Sequence, residues 1–430
     1  MVDVTAGTLQ KDVKVVGIVS GGHFMSHYYS MMLPPLIPLL HNEMNVSYTA
    51  LGLLLSLKSL SAGSMQLPAG ILVDRYGARL ILVFGFAIML ASYFIISVTH
   101  SFVALGALFL IAGVGNSVFH PADYSIMNGT VDSRRIGRSF SAHTFCGHMG
   151  TALAPVMILF MVGTLGWNWR EAVLASVVVG AVIVVGLLSQ WRHIKEGDLS
   201  RKDKVQTTVD TNTAEDAIGE VEKELTTWQA VRQILKSTPM LFLFMFFALQ
   251  ALGSGAFKNF AVAGLINLHG TSLSAAGGAL TGLLFASAFG VLAGGVLADF
   301  DKRHALTASI ALFLTALVAI LVGTIDLHYT VLVFVFTFAG LIQGIIRPAR
   351  DMMIRAASPK GSIGKAFGFV FSGQAIGGTI APIVFGAMLD LNMPQWVFYS
   401  SAIFMIICML AVLGSAREAR KEQEKLEAAQ

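Results

Sequence analysis

The sequence predicts an all-α polytopic membrane protein, with twelve transmembrane helices arranged as two pseudo-symmetric six-helix bundles. Three observations carry this. The 430 residues are 55% hydrophobic and only 13% charged, with a mean hydropathy of +0.71, whereas a soluble chain carries about a quarter charged residues. Twelve stretches approach the ~20 apolar residues a helix needs to cross a bilayer. The two halves of the chain also repeat one another in register.

In order, the stretches fall at about 15–40, 49–73, 79–98, 102–127, 138–163 and 169–190, then 240–266, 273–298, 305–325, 329–355, 362–389 and 396–416. The first run is too long for a signal-peptide core and lacks a small-residue cleavage pattern, so an uncleaved helix is expected. Loops after the odd-numbered stretches (HNEMNVSY, THS, TLGWN, NLHGTS, DLH and LNMPQ) contain no Lys or Arg. The other loops and the termini hold most of the basic residues, including Arg75, Arg79, Arg134, Arg135, Lys302, Arg303, Lys360 and the tail REARKEQEK. The positive-inside rule then places both termini in the cytoplasm of a plasma (inner) membrane protein, as an even span count also requires. The net charge of +4 is explained by this asymmetry and gives no reason to expect nucleic acid as a partner. Cys146 and Cys408 lie within predicted spans and imply no disulfide framework.

The expected organisation is an N-terminal bundle over 1–190, a charged linker over 191–239, a C-terminal bundle over 240–416 and a charged tail over 417–430. The end of the linker, TTWQAVRQILKSTP, has the pattern of an amphipathic interfacial helix stopped by Pro239. A shift of 227 residues takes Gly113 to Gly340, Asn116 to Gln343 and His120-Pro121-Ala122 to Arg347-Pro348-Ala349. It also takes Gly150 to Gly377 and Ala154-Pro155 to Ala381-Pro382 without a gap. A shift of 225 takes Gly70 and Asp74 to Gly295 and Asp299. Six-helix halves repeated in parallel are one transporter plan, with the substrate site between the halves near mid-membrane.

Polar residues inside the spans are the candidate site, because intramembrane charge is costly and faces a cavity or a partner. Asn116, His120, Asp123 and Tyr124 share one helix face, as do their counterparts Gln343, Arg347, Arg350 and Asp351. Lys58, Lys258 and Arg347 give three cations against few carboxylates, so an anionic small-molecule substrate is expected. Gln250 and Ser254 share a face with Lys258, and Tyr28 lies beside the first-helix histidines. His23 and His27 on the first span, with His148 on the fifth and Asp123, are candidates for carrying a coupling proton. His143 lies on the fifth span as well. Snorkelling of the lysines to the headgroups and structural pairing of the charges near the span ends are the plain alternatives. No metal ligand set is evident beyond the His23/His27 pair, no cofactor is expected, and the chain is expected to act as a monomer. There is no Walker loop for a built-in ATPase and no nucleophile set for an enzyme.

Six plus six helices, a charged central loop and the motif G-x3-D-R-x-G-x-R after the second helix resemble the major facilitator superfamily. Gly70, Asp74, Arg75, Gly77 and Arg79 match that motif, while the second copy keeps Gly295 and Asp299 and has Phe300 in place of the arginine. The resemblance implies secondary transport by alternating access, with Asp74, Arg75, Arg79, Gly70 and Asp299 in gating rather than substrate contact. GNSVFHPADYS and the pattern G-x7-P from Gly147 to Pro155 further resemble the fosmidomycin-resistance efflux group. Where that group's first helix resembles His-x3-Asp, this chain has His23-x3-His27. The reading is therefore a secondary transporter of a small organic anion coupled to protons. The alternatives are a proton-driven antibiotic efflux pump and, more remotely, a membrane-embedded enzyme or a transport-dead sensor.

Overall fold

The computed structural model describes residues 4–132, 135–191, 227–300, 303–358 and 363–428. Most of the linker, the side chain of Asp299, and Arg134, Lys302 and Lys360 lie outside the described residues. All regular structure within them is helical. The first half holds α1 (Val4–Met31), α2 (Ile37–Met44), α3 (Tyr48–Tyr76), α4 (Ala78–Val98), α5 (Phe102–Asn116), α6 (Phe119–Thr130), α7 (Ile136–Leu159) and α8 (Trp169–Ser189). The short α9 (Thr227–Lys236) follows. The second half holds α10 (Thr238–Gly255), α11 (Ala261–His269), α12 (Leu273–Phe300), α13 (His304–Thr324), α14 (Tyr329–Ala357), α15 (Ile363–Asp390) and α16 (Gln395–Ala428).

Ten of these rods are long and apolar enough to cross a membrane, counting α5–α6 and α10–α11 as one each. The other two predicted spans, α1 with α2 and then α3, are helical over most of the expected residues, with a break between Met31 and Ile37, and are diluted by Ser, His and Lys. They are the rods that carry His23, His27 and Lys58, so the apolar signal is weakest where the polar side chains are concentrated. Amphipathic α9 ends at Lys236, one residue before the N-cap of α10, and Pro239 sits in the first turn of α10. Proline is tolerated there because the first-turn N–H groups have no intrahelical partner.

The prolines and the turns obey local chemistry. Pro121 has no N–H to give to the carbonyl four residues back, and the fourth predicted span is interrupted at Ser117-Val118, between α5 and α6. Its counterpart Pro348 sits inside the unbroken α14. Gly77, at φ +91°, joins α3 to α4 in a conformation that a residue with a Cβ rarely adopts. Asn168 caps α8 with a reciprocal bond from its own N–H to Glu171.

Glycine contacts reproduce the repeat in three dimensions. A Cβ at Gly113 would strike the carbonyl of Lys58 on α3, and one at Gly340 would strike that of Leu283 on α12. A Cβ at Gly150 would strike the carbonyl of Phe24 on α1, and one at Gly377 that of Ala248 on α10. Small residues let helix backbones approach closely where lipid offers no hydrophobic drive for association. The same glycine therefore sets the same helix spacing in each half. Gly340→Val should push α14 off α12 and lower stability by about 1–3 kcal/mol, the usual cost of overpacking. Gly378→Ala, with nothing within 4 Å of the new methyl, should leave the melting temperature in detergent unchanged.

Candidate functional site

Polar side chains from α1, α6, α7 and α14 gather in the interior. On α1, His23 stacks on His143 of α7 with ring centroids 4.1 Å apart, and lies 4.6 Å from His27 and 5.1 Å from His120. Gly147 makes this possible, since a Cβ there would sit 2.6 Å from the His23 ring. Asp123 is fully buried, with Oδ2 3.5 Å from His23 Nδ1 and 3.4 Å from His143 Nε2. His143 Nδ1 lies 3.4 Å from Ser20 Oγ. His27 Nδ1 pairs with Thr151 Oγ1 at 3.2 Å. His120 is exposed at the open side of this group.

The two halves meet at His148 and Arg347. Arg347 Nη1 on α14 lies 3.0 Å from His148 Nε2 and 3.2 Å from Nδ1 on α7. Nearby on α14, Arg350 donates to Gln250 Oε1 at 3.1 Å, lies 4.6 Å from the centre of the Phe247 ring and sits 3.4 Å from Asp351. Lys58 is buried and donates to Ser30 Oγ at 2.8 Å. Lys258 is half-buried within a π-helical turn, Ala256–Phe260, that joins α10 to α11. Such turns shift the helix face by a residue and are frequent at functional sites. Among the described residues no carboxylate lies within 4.0 Å of Lys58, Lys258 or Arg347.

The predicted residues thus sort into groups. Asn116 faces the α1 backbone at Ser26 O, 3.5 Å away, and Gln343 is buried with Nε2 unpartnered. Tyr28 joins neither cluster: it is buried with its hydroxyl 3.2 Å from Ser176 of α8. Gln250 accepts from Arg350 Nη1, and a π turn lies between Gln250 and the end of the span that carries Lys258. Tyr124 is exposed although it neighbours buried Asp123, and its ring lies 6.0 Å from that of His120 and 6.2 Å from that of His143. The sequence reading found no convergent ligand set, whereas the fold brings His23, Asp123 and His143 together from three helices. That pairing spans more than a hundred residues of chain and leaves no local spacing signal.

At one end, side-chain hydrogen bonds among the described residues join the two halves. Asp390, the last residue of α15, accepts from the first N–H groups of α3, Tyr48 at 2.7 Å and Thr49 at 2.8 Å. A carboxylate suits those unpaired donors and the positive end of the helix dipole. Asn267 adds a 2.9 Å bond to the Tyr48 hydroxyl, and Gly386 faces the Tyr48 carbonyl. At the other end Asp74 and Arg75 are exposed, and Arg79 donates to Trp191 O at 3.0 Å. Gly70 lies 4.0 Å from Pro121 by its would-be Cβ.

A family model for the Major Facilitator Superfamily matches residues 19–265 and 249–430, and the chain belongs to that superfamily. It is a multi-pass membrane protein of a transporter family. A protein of Escherichia coli (strain K12) described as "Probable L-galactonate transporter" is 26% identical over 161 residues, 37% of this chain and 35% of that protein. An uncharacterized MFS-type transporter of Bacillus subtilis (strain 168) is 24% identical over 203 residues, 46% of this chain and 48% of that protein. These alignments span a third to a half of the curated relatives. The crystal structure of a bacterial homolog of the human lysosomal transporter Spinster, inward-facing and unoccupied, superposes with a TM-score of 0.75. It covers 96% of this chain and 98% of that one at 16% identity, which establishes the shared fold.

The closed end yields a test. Asp390→Ala removes charged hydrogen bonds worth about 1.5–3 kcal/mol each from one conformation and should favour opening of that end by roughly tenfold or more. Cysteine labelling near Asn267 should rise relative to the parent. Unchanged labelling would show that the contact does not hold the end shut.

Proposed function

We propose that this chain is a secondary transporter of a small organic anion, coupled to protons and working by alternating access between its two halves. The observation that supports it best is the set of three interior cations, Lys58, Lys258 and Arg347, none with a carboxylate within 4.0 Å among the described residues. Charge at such depth is tolerated when something balances it, and a bound anion would do so. Asn116, Gln343 and His120 would supply neutral contacts around it. The relative described for L-galactonate transport, a carboxylate by its name, is in keeping with this class.

Coupling to protons follows from His148. A guanidinium has only donors, and a neutral imidazole can receive Arg347 on its lone pair or its ring face, whereas an imidazolium cannot. A protonated His148 has no free lone pair and repels Arg347, and the other groups facing it, Lys258, Arg350 and His27, bring no negative charge. A proton on His148 would therefore release Arg347 toward an anion, and the anion would stabilise the added proton. Anion and proton bind better together, the linkage expected of cotransport. Of the other candidates for coupling, His23 and Asp123 belong to the separate buried cluster. In this reading the protein sits in the plasma membrane with both termini cytoplasmic, and the end closed by Asp390 is external. Asp74, Arg75, Arg79 and Asp299 would then stabilise the opposite, outward-open state.

Arg347→Ala should insert and purify but lose anion-dependent thermal stabilisation, since a ligand that binds only the folded state raises its melting point. Anion binding equal to wild type would exclude Arg347 from the site. Anion affinity should rise as pH falls through the titration of His148, and His148→Gln should flatten that dependence. An identical pH profile in His148→Gln would rule out this coupling route.

A further inference from the structure

We propose that His23, Asp123 and His143 form a binding site for one first-row divalent transition metal, of the Zn²⁺ class, inside the first six-helix half. The site is separate from the anion site and does not depend on that reading. All three residues are at most 3% exposed. His23 Nδ1, His143 Nε2 and both oxygens of Asp123 have no hydrogen-bond partner. Leaving four such atoms unsatisfied in an interior is costly, so the arrangement calls for a group that all of them serve.

The spacing is that of ligands around a shared ion. The two nitrogens stand 3.5 and 3.4 Å from the same oxygen, Asp123 Oδ2, and one ligand atom from each residue lies within 4.8 Å of the others. Metal–nitrogen and metal–oxygen bonds near 2.0–2.1 Å give a tetrahedron edges of about 3.3 Å. The His23 and His143 rings are stacked with their planes 21° apart, so reaching that polyhedron takes a turn of one imidazole as well as closure of the ligands. Imidazole and carboxylate together select Zn²⁺, Co²⁺ or Ni²⁺ over Ca²⁺ and Mg²⁺. Ser20 lies 3.4 Å from His143 Nδ1. With that nitrogen protonated and donating to the hydroxyl, Nε2 keeps a lone pair toward Asp123, the usual support for a ligating histidine. His120 is exposed, and its ring lies 5.1 Å from that of His23.

The repeat supplies an independent argument. The 227-residue shift that relates the halves takes Asp123 to Arg350, and the glycine contacts of Gly150 and Gly377 match Phe24 to Ala248, so His23 corresponds to Phe247. In the second half the equivalent place is filled by the Arg350 guanidinium, 4.6 Å from the centre of the Phe247 ring. One half holds a built-in cation there. The other holds a carboxylate and two imidazoles, the donor set that would bind one.

The test uses the full chain, purified in detergent, with any affinity tag removed and stripped with chelator, in the absence of anion substrate. CoCl2 is titrated and followed by visible absorption, and retained metal is counted by mass spectrometry after desalting. Wild type should bind one Co²⁺ per chain, displaced by Zn²⁺, and Arg347→Ala should do the same. Asp123→Asn and His143→Gln should lose that binding, and Ser20→Ala should weaken it by about ten- to a hundredfold. If the two ligand variants do not purify, Ser20→Ala and the wild-type stoichiometry decide. Failure of wild type to bind one ion per chain, or undiminished binding in these variants, overturns the site.

Discussion

Charge held inside a low-dielectric bundle must be balanced, and the rest of this structure is organised around how each charge is met. Arg350 is met by Asp351, Gln250 and the face of Phe247. Asp390 is met by the N-terminal amides of α3. Among the described residues Lys58 is met by a serine hydroxyl and the face of Tyr93, Arg347 by an imidazole, and Asp123 by two imidazoles 3.4 and 3.5 Å away. The first group ties helices together. In the functions proposed above, the second group is where a mobile anion, proton or metal ion would complete the balance.

The helical frame holds these charges through backbone contacts that the repeat duplicates. Gly113 and Gly340 bring matching helix pairs together, and so do Gly150 and Gly377. The frame is symmetric but its contents are not. His120 faces an open space beside a broken helix, while its counterpart Arg347 projects from the continuous α14. The same asymmetry sets Asp123 against Arg350. Function in a duplicated bundle is expected to reside in such differences, because the shared positions are fixed by packing.

Much of the fold was legible in the sequence, since bilayer thickness dictates helix length and the repeat survives as glycines and prolines in register. The hydropathy signal weakens at α1 and α3, where Ser, His and Lys replace apolar residues. The break at Ser117-Val118 was legible only as a nearby proline, and Pro348 shows that the same residue need not break a helix. The central cations were also visible, because a lone Lys or Arg in an apolar run stands out. The convergence of His23, Asp123 and His143 was not, because it depends on how α1, α6 and α7 pack. Nor was the end-closing role of Asp390, a residue whose partner lies more than three hundred positions away. The finer resemblance to the fosmidomycin-resistance group rests on GNSVFHPADYS and one glycine–proline spacing, while the relatives found carry other descriptions.

The central claim is that unbalanced interior cations select a negatively charged substrate. It is tested most directly by comparing a small hydroxycarboxylate with its neutral, nearly isosteric amide in equilibrium binding to the purified protein. The pair differs in charge with little change in shape, so packing contributes nearly equally to both. The account predicts saturable binding of the carboxylate, competed by other small organic anions, and no detectable binding of the amide at the same concentration. Equal affinity for the two, or binding of the amide alone, would contradict it.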